Sequence, residues 1–191
     1  TGNSTFSFPP DTPLNTIFTA NVTVMNVTML SAWQVNMTWD LTLLNVTSAN
    51  DLILPSDNVF GAYTDVVVRE RGNGTLFFAV GIVMSPDAPP YVNVTSGTLC
   101  QINFTIIRNG TEAPTGCPLH LVTMDEGLIY TLLVDYDGNE MPSVTLTDGS
   151  YTIPEFNVNV LLAIFLIATL CAFALGRKTL TGKRLRHINA R

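Results

Sequence analysis

One segment, residues 156–175, is almost entirely apolar and sets the strongest limit on how the chain can be arranged. From residue 160 onward its only clearly polar side chain is Thr169. About twenty helical residues span the roughly 30 Å hydrocarbon core of a bilayer, whereas a core helix of a globular domain usually keeps one polar face. The segment predicts a transmembrane helix over 154–176, the alternative being a hydrophobic helix in a larger core.

The charges of the chain are divided between the two sides of this segment. Residues 11–155 hold all fifteen acidic residues and three arginines, a formal charge of −12, whereas the residues after 156 hold six bases and no acid. The positive-inside rule makes residues 177–191 a cytoplasmic tail and places the acidic part outside a single-pass cell-membrane protein. An acidic domain lacks the Lys/Arg needed to neutralise phosphates, which excludes nucleic acid, and it favours a partner with a basic patch.

Glycosylation sequons agree with this topology. Nine Asn-x-Thr sequons occur, and all of them precede the apolar segment. Glycan acceptors need exposed positions in a translocated chain, so the pattern predicts an extracellular glycoprotein. The sequon asparagines are Asn3, Asn21, Asn26, Asn36, Asn45, Asn73, Asn93, Asn103 and Asn109.

Two of the three cysteines precede the apolar segment. Cys100 and Cys117 lie in two apolar strand patterns joined by a turn-rich stretch, while Cys171 lies within the apolar run. In an oxidising compartment a disulfide across such a hairpin is predicted, if the register of the strands brings the sulfurs together. The alternative is two reduced cysteines in the core.

Short alternating patterns fill the part of the chain before the apolar segment. Residues 1–13 are rich in Thr, Ser and Pro and predict a flexible linker. In the strand pattern around Trp33 and Trp39, the apolar residues share one face, so both tryptophans are predicted core anchors and Asn36 points outward. About nine such strands in residues 14–153 predict an all-β, antiparallel β-sandwich of jelly-roll type. Beyond two starting at Phe18 and Ala32, the predicted strands are 43–46, 66–69, 76–84, 98–107, 119–123, 129–135 and 144–153.

The order of these motifs resembles cohesin modules, β-sandwich domains of secreted scaffold and surface proteins that bind dockerin modules of carbohydrate-degrading complexes. The likeness is carried by WDLTLLNV at Trp39–Val46, by SGTLCQINFTII at 96–107 and by the Asp-Gly-Asn hairpin and final Asp-Gly strand within 132–153. It implies a cohesin-like fold over residues 14–153 and a dockerin-like protein partner.

The end of the domain carries a second resemblance. Pro154, Glu155 and Phe156, followed by the apolar span and the basic cluster, resemble the C-terminal sorting signals of archaeal surface proteins. Such a signal would imply that the span is removed and replaced by a lipid anchor. A retained membrane helix is our first expectation.

Residues that could carry chemistry are few. His120 has the phase of an outward strand residue, His187 lies in the basic tail, and neither has a second ligand at zinc spacing. Asp135, Asp137 and Asn139 form the best calcium candidate, with a simple Asp-Gly hairpin turn as the alternative. The pair Asp125–Glu126 is predicted to be a solvated loop. We expect no catalytic site, no cofactor and no other metal site.

The residues and the resemblance together predict a non-enzymatic cell-surface module that mediates protein–protein contact through a sheet face with an apolar centre and a polar rim. Such a module would be linked to polysaccharide binding or degradation. One alternative is a carbohydrate-binding module, for which Tyr63, Tyr91 and Tyr136 are the aromatic candidates. Another is a structural surface-layer or adhesion subunit that associates through sheet edges.

Overall fold

In the computed structural model of the chain, residues 5–9, 11–108, 115–142 and 144–153 are described. They are mostly β-strand, with two short 3₁₀ turns at Ala49–Asp51 and Gly61–Tyr63. This composition is consistent with the predicted β-sandwich. The strands are β1 (Thr5–Ser7), β2 (Ile17–Thr38), β3 (Leu44–Asn45), β4 (Leu52–Ile53), β5 (Thr64–Arg71), β6 (Thr75–Ile82), β7 (Val92–Ile106), β8 (Thr115–Leu121), β9 (Leu132–Asp135) and β10 (Gly149–Ile153).

Strand β2 unites two segments that the sequence predicts as separate strands. Its 22 residues continue through a corner at which the register with β7 shifts between Val27 and Leu30. Asn26 and Met29 have positive φ angles of 54° and 58° there, and Met29 N donates a hydrogen bond of 2.9 Å to Asn93 Oδ1. Strands that pass from one layer to another bend at such bulges.

The two halves of β2 have different neighbours. Its first half pairs antiparallel with β7, which also pairs with β3 and β4. Its second half lies between β6 on one side and β9 and β8 on the other, and β5 pairs with the far side of β6. Strand β8 also pairs with β10, and β10 pairs in parallel with β1.

Aromatic side chains fill the space between these layers. Trp33 is 1% exposed and Trp39 is 8% exposed, which confirms both as core anchors. Trp33 packs edge-on against Phe78, and Trp39 packs edge-on against Phe104. The indole Nε1 of Trp39 donates a 3.0 Å hydrogen bond to the carbonyl of Leu44, so its polar atom is satisfied where the ring is buried.

The start of the chain contributes to the domain. The prediction of a linker over 1–13 is wrong for β1, because Thr5–Ser7 pairs with Ser150–Thr152 of β10. Phe6 and Phe8 pack against Phe18 with ring centroids 5.0 and 5.1 Å apart. These aromatic contacts hold a segment whose Thr/Ser/Pro composition is typical of flexible chain.

The predicted disulfide between Cys100 and Cys117 is wrong, since both residues are buried free thiols. Cys100 lies opposite Val22 in the β2–β7 pair, and Cys117 lies opposite Tyr151 in the β8–β10 pair. Among the described pairings β7 and β8 are not neighbours, so the assumed hairpin does not exist. Burial raises the pKa of the Cys100 thiol to about 12.

The predicted anchor lies outside the described residues. This holds for the membrane helix over 154–176, for the tail over 177–191 and for the Pro154–Phe156 motif. Within the described part of the chain, no helix is long and apolar enough to cross a membrane. The chain divides into two units, Thr1–Glu155 and Phe156–Arg191, and every described residue belongs to the first.

Candidate interaction surface

The outward side of the layer that contains the second half of β2 carries apolar side chains on β6 and β9, polar side chains on β2 between them and an acidic side chain on the edge strand β5. Strand β6 alternates: its Leu76 and Phe78 are buried in the core, while Phe77 between them points outward and is half-buried. In register with Phe77 are Asn36 on one side and Glu70 on the other. We call this surface the front face; its residues are Gln34, Asn36, Val68, Glu70, Phe77, Ala79, Leu132 and Val134.

The edge strand β5 directs its basic and its acidic side chains to opposite sides. Arg69 and Arg71 are in register with Phe78 and Leu76, so both arginines leave the strand on its core side. The Arg69 guanidinium carbon lies 5.0 Å from the centroid of the Phe78 ring, and Arg71 Nη1 donates a 3.2 Å hydrogen bond to the carbonyl of Val46. Glu70 points to the front instead. The strand therefore presents acid, and not base, on the front face.

The outward side of the other layer carries a row of polar residues, flanked by the apolar Ile17, which is 62% exposed, and by the half-buried Ile53; we call it the back face. Thr19 and Asn103 face each other across β2 and β7, as do Asn21 and Gln101. Thr19 Oγ1 donates a 2.7 Å hydrogen bond to Asn103 Oδ1, and Gln101 Nε2 donates a 3.1 Å bond to Asn21 Oδ1. Asn45 of β3 extends the same surface. In both bonds the asparagine accepts through its amide oxygen.

The sequons are distributed unequally between these two faces. Three asparagines, Asn21, Asn45 and Asn103, lie on the back face, and Asn36 lies on the front face. The others that the structure describes are Asn26 and Asn93 at the β2 corner and Asn73 in the β5–β6 turn. Asn3 and Asn109 lie outside the described residues.

Asn36 uses its amide differently from the back-face asparagines. It is half-buried, and its Nδ2 donates a 2.6 Å hydrogen bond to the carbonyl of Ile129. An N-linked glycan attaches to this same nitrogen, whereas Asn21 and Asn103 make their described bonds through oxygen. The front-face sequon is therefore engaged in holding the neighbouring loop.

His120 of β8 is the centre of a contact set that the sequence did not reveal. Its Nδ1 lies 2.7 Å from Asp148 Oδ2, and its Nε2 lies 2.9 Å from Glu126 Oε2. The hydrogen bonds to Asp148 and then to Glu126 raise the pKa of His120. Hydrogen bonds from Thr123 and from His120 lower the pKa of Glu126 to about 2. Asp148 is 28 residues from His120 in sequence, so the spacing of residues along the chain does not predict this contact.

The calcium candidate is built as a hairpin turn. Asp135 Oδ1 accepts a 2.9 Å hydrogen bond from Asn139 N, and Gly138 has a φ of +82°. Asp137 is exposed between them. Because the Asp135 carboxylate accepts a backbone hydrogen bond within the turn, the segment has the structure of the Asp-Gly hairpin turn that was the alternative to a calcium site. Within the described ranges, no group of three or more His, Cys, Asp or Glu side chains could hold a metal ion.

Two of the three candidate tyrosines lie together. The rings of Tyr91 and Tyr136 are 5.9 Å apart between centroids and inclined at 60°. They are 36% and 54% exposed. Tyr63 ends the second 3₁₀ turn. The pair is a tilted aromatic contact, which differs from the coplanar platform that binds a flat polysaccharide chain.

Comparison with solved structures identifies the fold as that of cohesin domains. A type II cohesin domain from the cellulosome of Acetivibrio cellulolyticus is 20% identical, with a TM-score of 0.54 over 78% of this chain and 90% of that chain. A non-cellulosomal cohesin from the hyperthermophilic archaeon Archaeoglobus fulgidus is 16% identical, with a TM-score of 0.53 over 80% and 88%.

A third structure holds such a domain with its ligand. The sixth cohesin of scaffoldin B from Acetivibrio cellulolyticus, solved in complex with a mutant dockerin, is 14% identical, with a TM-score of 0.55 over 78% of this chain and 94% of that chain. No protein-family model matches the present sequence, and no curated protein matches it. The likeness is therefore one of fold, and it confirms the cohesin-like β architecture.

Proposed function

We propose that this chain is a non-enzymatic, cohesin-like module that binds another protein through its front face. The observation that carries the proposal is the construction of that face on a cohesin fold. Phe77 and Ala79 of β6 and Leu132 of β9 are among its apolar side chains, and polar Gln34 of β2 lies between Ala79 and Leu132. Glu70 lies beside Phe77. Protein interfaces commonly combine apolar contact residues with polar and charged ones.

A dockerin-like domain is the partner class that we propose. The compared scaffoldin cohesin has a dockerin bound. The front face offers a sheet surface with apolar side chains, such as Phe77 and Leu132, and the acidic Glu70. Because Glu70 points outward while Arg69 points toward the core side, a partner with lysine or arginine around its apolar contact residues is favoured.

The setting of the module is the cell surface. The sequons, the acidic charge of residues 11–155 and the apolar segment followed by six bases support an extracellular domain on a single-pass membrane anchor. The Pro154–Phe156 motif supports an archaeal-type surface protein, whose anchor is either a retained helix over 154–176 or a lipid that replaces it.

Binding of isolated dockerin modules tests the proposal. The full chain in detergent micelles is immobilised, and a panel of type I and type II dockerins is passed over it by surface plasmon resonance. We expect saturable binding of at least one module, lost when the front face is altered as described in the Discussion. Binding that survives front-face substitution, or no binding together with saturable polysaccharide binding, would overturn the proposal.

Carbohydrate binding is the second candidate function, and the Tyr91–Tyr136 pair is the observation that favours it. Both rings are partly exposed and close enough to contact one sugar residue together. In this case, soluble polysaccharides would bind the wild-type chain and Tyr136→Ala would remove that binding. Phe77→Asp would leave it unchanged, so the two functions are separated by a pair of variants.

A further inference from the structure

The loop between β8 and β9, residues 122–131, borders the front face and carries apolar side chains that the core does not use. Met124, Leu128 and Ile129 are 66%, 101% and 51% exposed. Single exposed apolar residues are ordinary on a protein surface. Three of them lie in one short loop beside the front face, and exposed apolar side chains concentrated in this way are typical of a contact site.

The C-terminal part of this loop is fixed to β2. Thr131 Oγ1 donates a 2.9 Å hydrogen bond to the carbonyl of Asn36. Asn36 Nδ2 and Gln34 Nε2 donate to the carbonyls of Ile129 and Tyr130, each at 2.6 Å. These bonds hold residues 129–131 against the front face. They do not reach the tip of the loop, which is held by other contacts.

The tip is held by an ionic cluster. Glu126 Oε2 accepts hydrogen bonds of 2.8 Å from both N and Oγ1 of Thr123 and lies 2.9 Å from His120 Nε2. On the other side of the ring, Nδ1 lies 2.7 Å from Asp148 Oδ2, and Asp148 Oδ1 accepts from Leu121 N at 2.8 Å. A neutral imidazole has one N–H and can donate to only one carboxylate, so both contacts require the protonated ring.

We propose that protonated His120 fixes the loop 122–131 beside the front face and that loss of this proton releases the loop tip, which makes the interaction surface dependent on pH. Within the described part of the chain, the charged groups that face the ring are Glu126 from the loop and Asp148 from the segment before β10. Strand β2 places the uncharged Thr38 opposite His120 in register.

The direction of the pH effect follows from these contacts. Because both carboxylates raise the pKa of His120, the stabilisation is complete below its unfolded value of about 6.5 and disappears as the pH rises through the higher folded value. The pKa of Glu126 is lowered to about 2. The stabilisation that its ionised carboxylate gives is therefore present above its unfolded pKa and is lost only as the pH falls through about 2. The loop is thus fixed in mildly acidic solution and released in alkaline solution.

The occupant that we assign to this loop is the protein partner of the front face, an assignment that rests on the proposed function. Met124, Leu128 and Ile129 would contact apolar residues of that partner. Asp125 is exposed in the same loop, and no lysine or arginine lies within it. Charge complementarity therefore favours lysine or arginine on the partner at this border.

Hydrogen–deuterium exchange of the full chain in micelles, without a partner, tests the proton-dependent release. Rates for residues 121–131 are divided by their intrinsic values at about pH 6 and about pH 9, on either side of an ordinary or moderately raised histidine pKa. We expect protection to fall about tenfold between the two conditions, as in local unfolding. His120→Gln should show the low protection at both pH values, whereas Asp87→Asn, on another loop, should behave as the wild type.

Equal wild-type protection at both pH values, or wild-type protection in His120→Gln, would overturn the inference. Residues 99–106 of β7 serve as the reference for folding in the same experiment. If His120→Gln exchanges fast there as well, Glu126→Gln decides the question, since it keeps the shape of the side chain but removes the charge. The measurement involves no dockerin, so its failure is distinct from a failure of the proposed function.

Discussion

The front and back faces share strand β2 but differ in chemistry. On the back face, Thr19, Asn21 and Asn103 form a polar ladder whose asparagines are also sequons. On the front face, Phe77 and Leu132 lie in the corresponding outward positions. Each half of β2 presents alternating residues to the core and to the outside, so the two faces differ only in what the outward positions carry. The fold requires apolar residues at the inward positions only, so the residues at the outward positions determine what each face can bind.

The largest difference that we expect concerns binding of a dockerin that the wild-type chain captures. Phe77→Asp replaces the largest apolar side chain of the front face with a charge and should weaken binding about a hundredfold, as removal of an interface anchor does. Thr19→Asp, the matched change on the back face, should leave the dissociation constant within about twofold. Calorimetric titration provides both values, and equal losses in the two variants would remove the distinction between the faces.

A smaller difference is expected in stability. Asn36→Ala removes the Nδ2 hydrogen bond from a half-buried side chain to the carbonyl of Ile129 and should lower the free energy of unfolding by about 1 kcal/mol. Asn21→Ala removes an exposed bond from Gln101 and should change it by no more than about 0.5 kcal/mol. Urea unfolding measures both. If Asn21→Ala lowers the free energy of unfolding as much as Asn36→Ala does, the outward side chains of the back face contribute as much to stability as those of the front face.

The smallest effect concerns charge. Glu70→Lys on the front face should slow association with the same dockerin a few-fold at low salt, since rim charges act mainly on encounter. Asp57→Lys, in the exposed loop after β4, should alter the rate much less. Stopped-flow association at low and high ionic strength makes the comparison. A rate that responds equally to the two reversals would indicate attraction to the net charge of the domain alone.

Local patterns were sufficient to predict the fold but not its connections. The alternation around Trp33 predicts a strand with a buried face, and that residue is 1% exposed. The positive φ angles of Asn26 and Met29 join two predicted strands into one, a backbone event with no composition signal. β1 was missed because Phe6 and Phe8 are stabilised by tertiary contacts with Phe18.

Long-range pairing also limits what could be predicted of the site. The disulfide hypothesis assumed that the strands of Cys100 and Cys117 are neighbours, but which strands are neighbours is decided by the topology of the sheet. His120 was correctly predicted to face outward, yet its partner Asp148 comes from another segment. Asn36 has the phase expected of a glycan acceptor, but its amide nitrogen is engaged by Ile129 of a later loop.

Site-resolved glycopeptide mass spectrometry tests the division between the faces most directly. The chain is exported through a secretory pathway that modifies Asn-x-Thr sequons, and the occupancy of each asparagine is measured on the folded product. We predict glycans at Asn21 and Asn103 on the back face and an unmodified Asn36 on the front face. Full occupancy of Asn36 in folded chain, with Asn21 and Asn103 bare, would contradict the account.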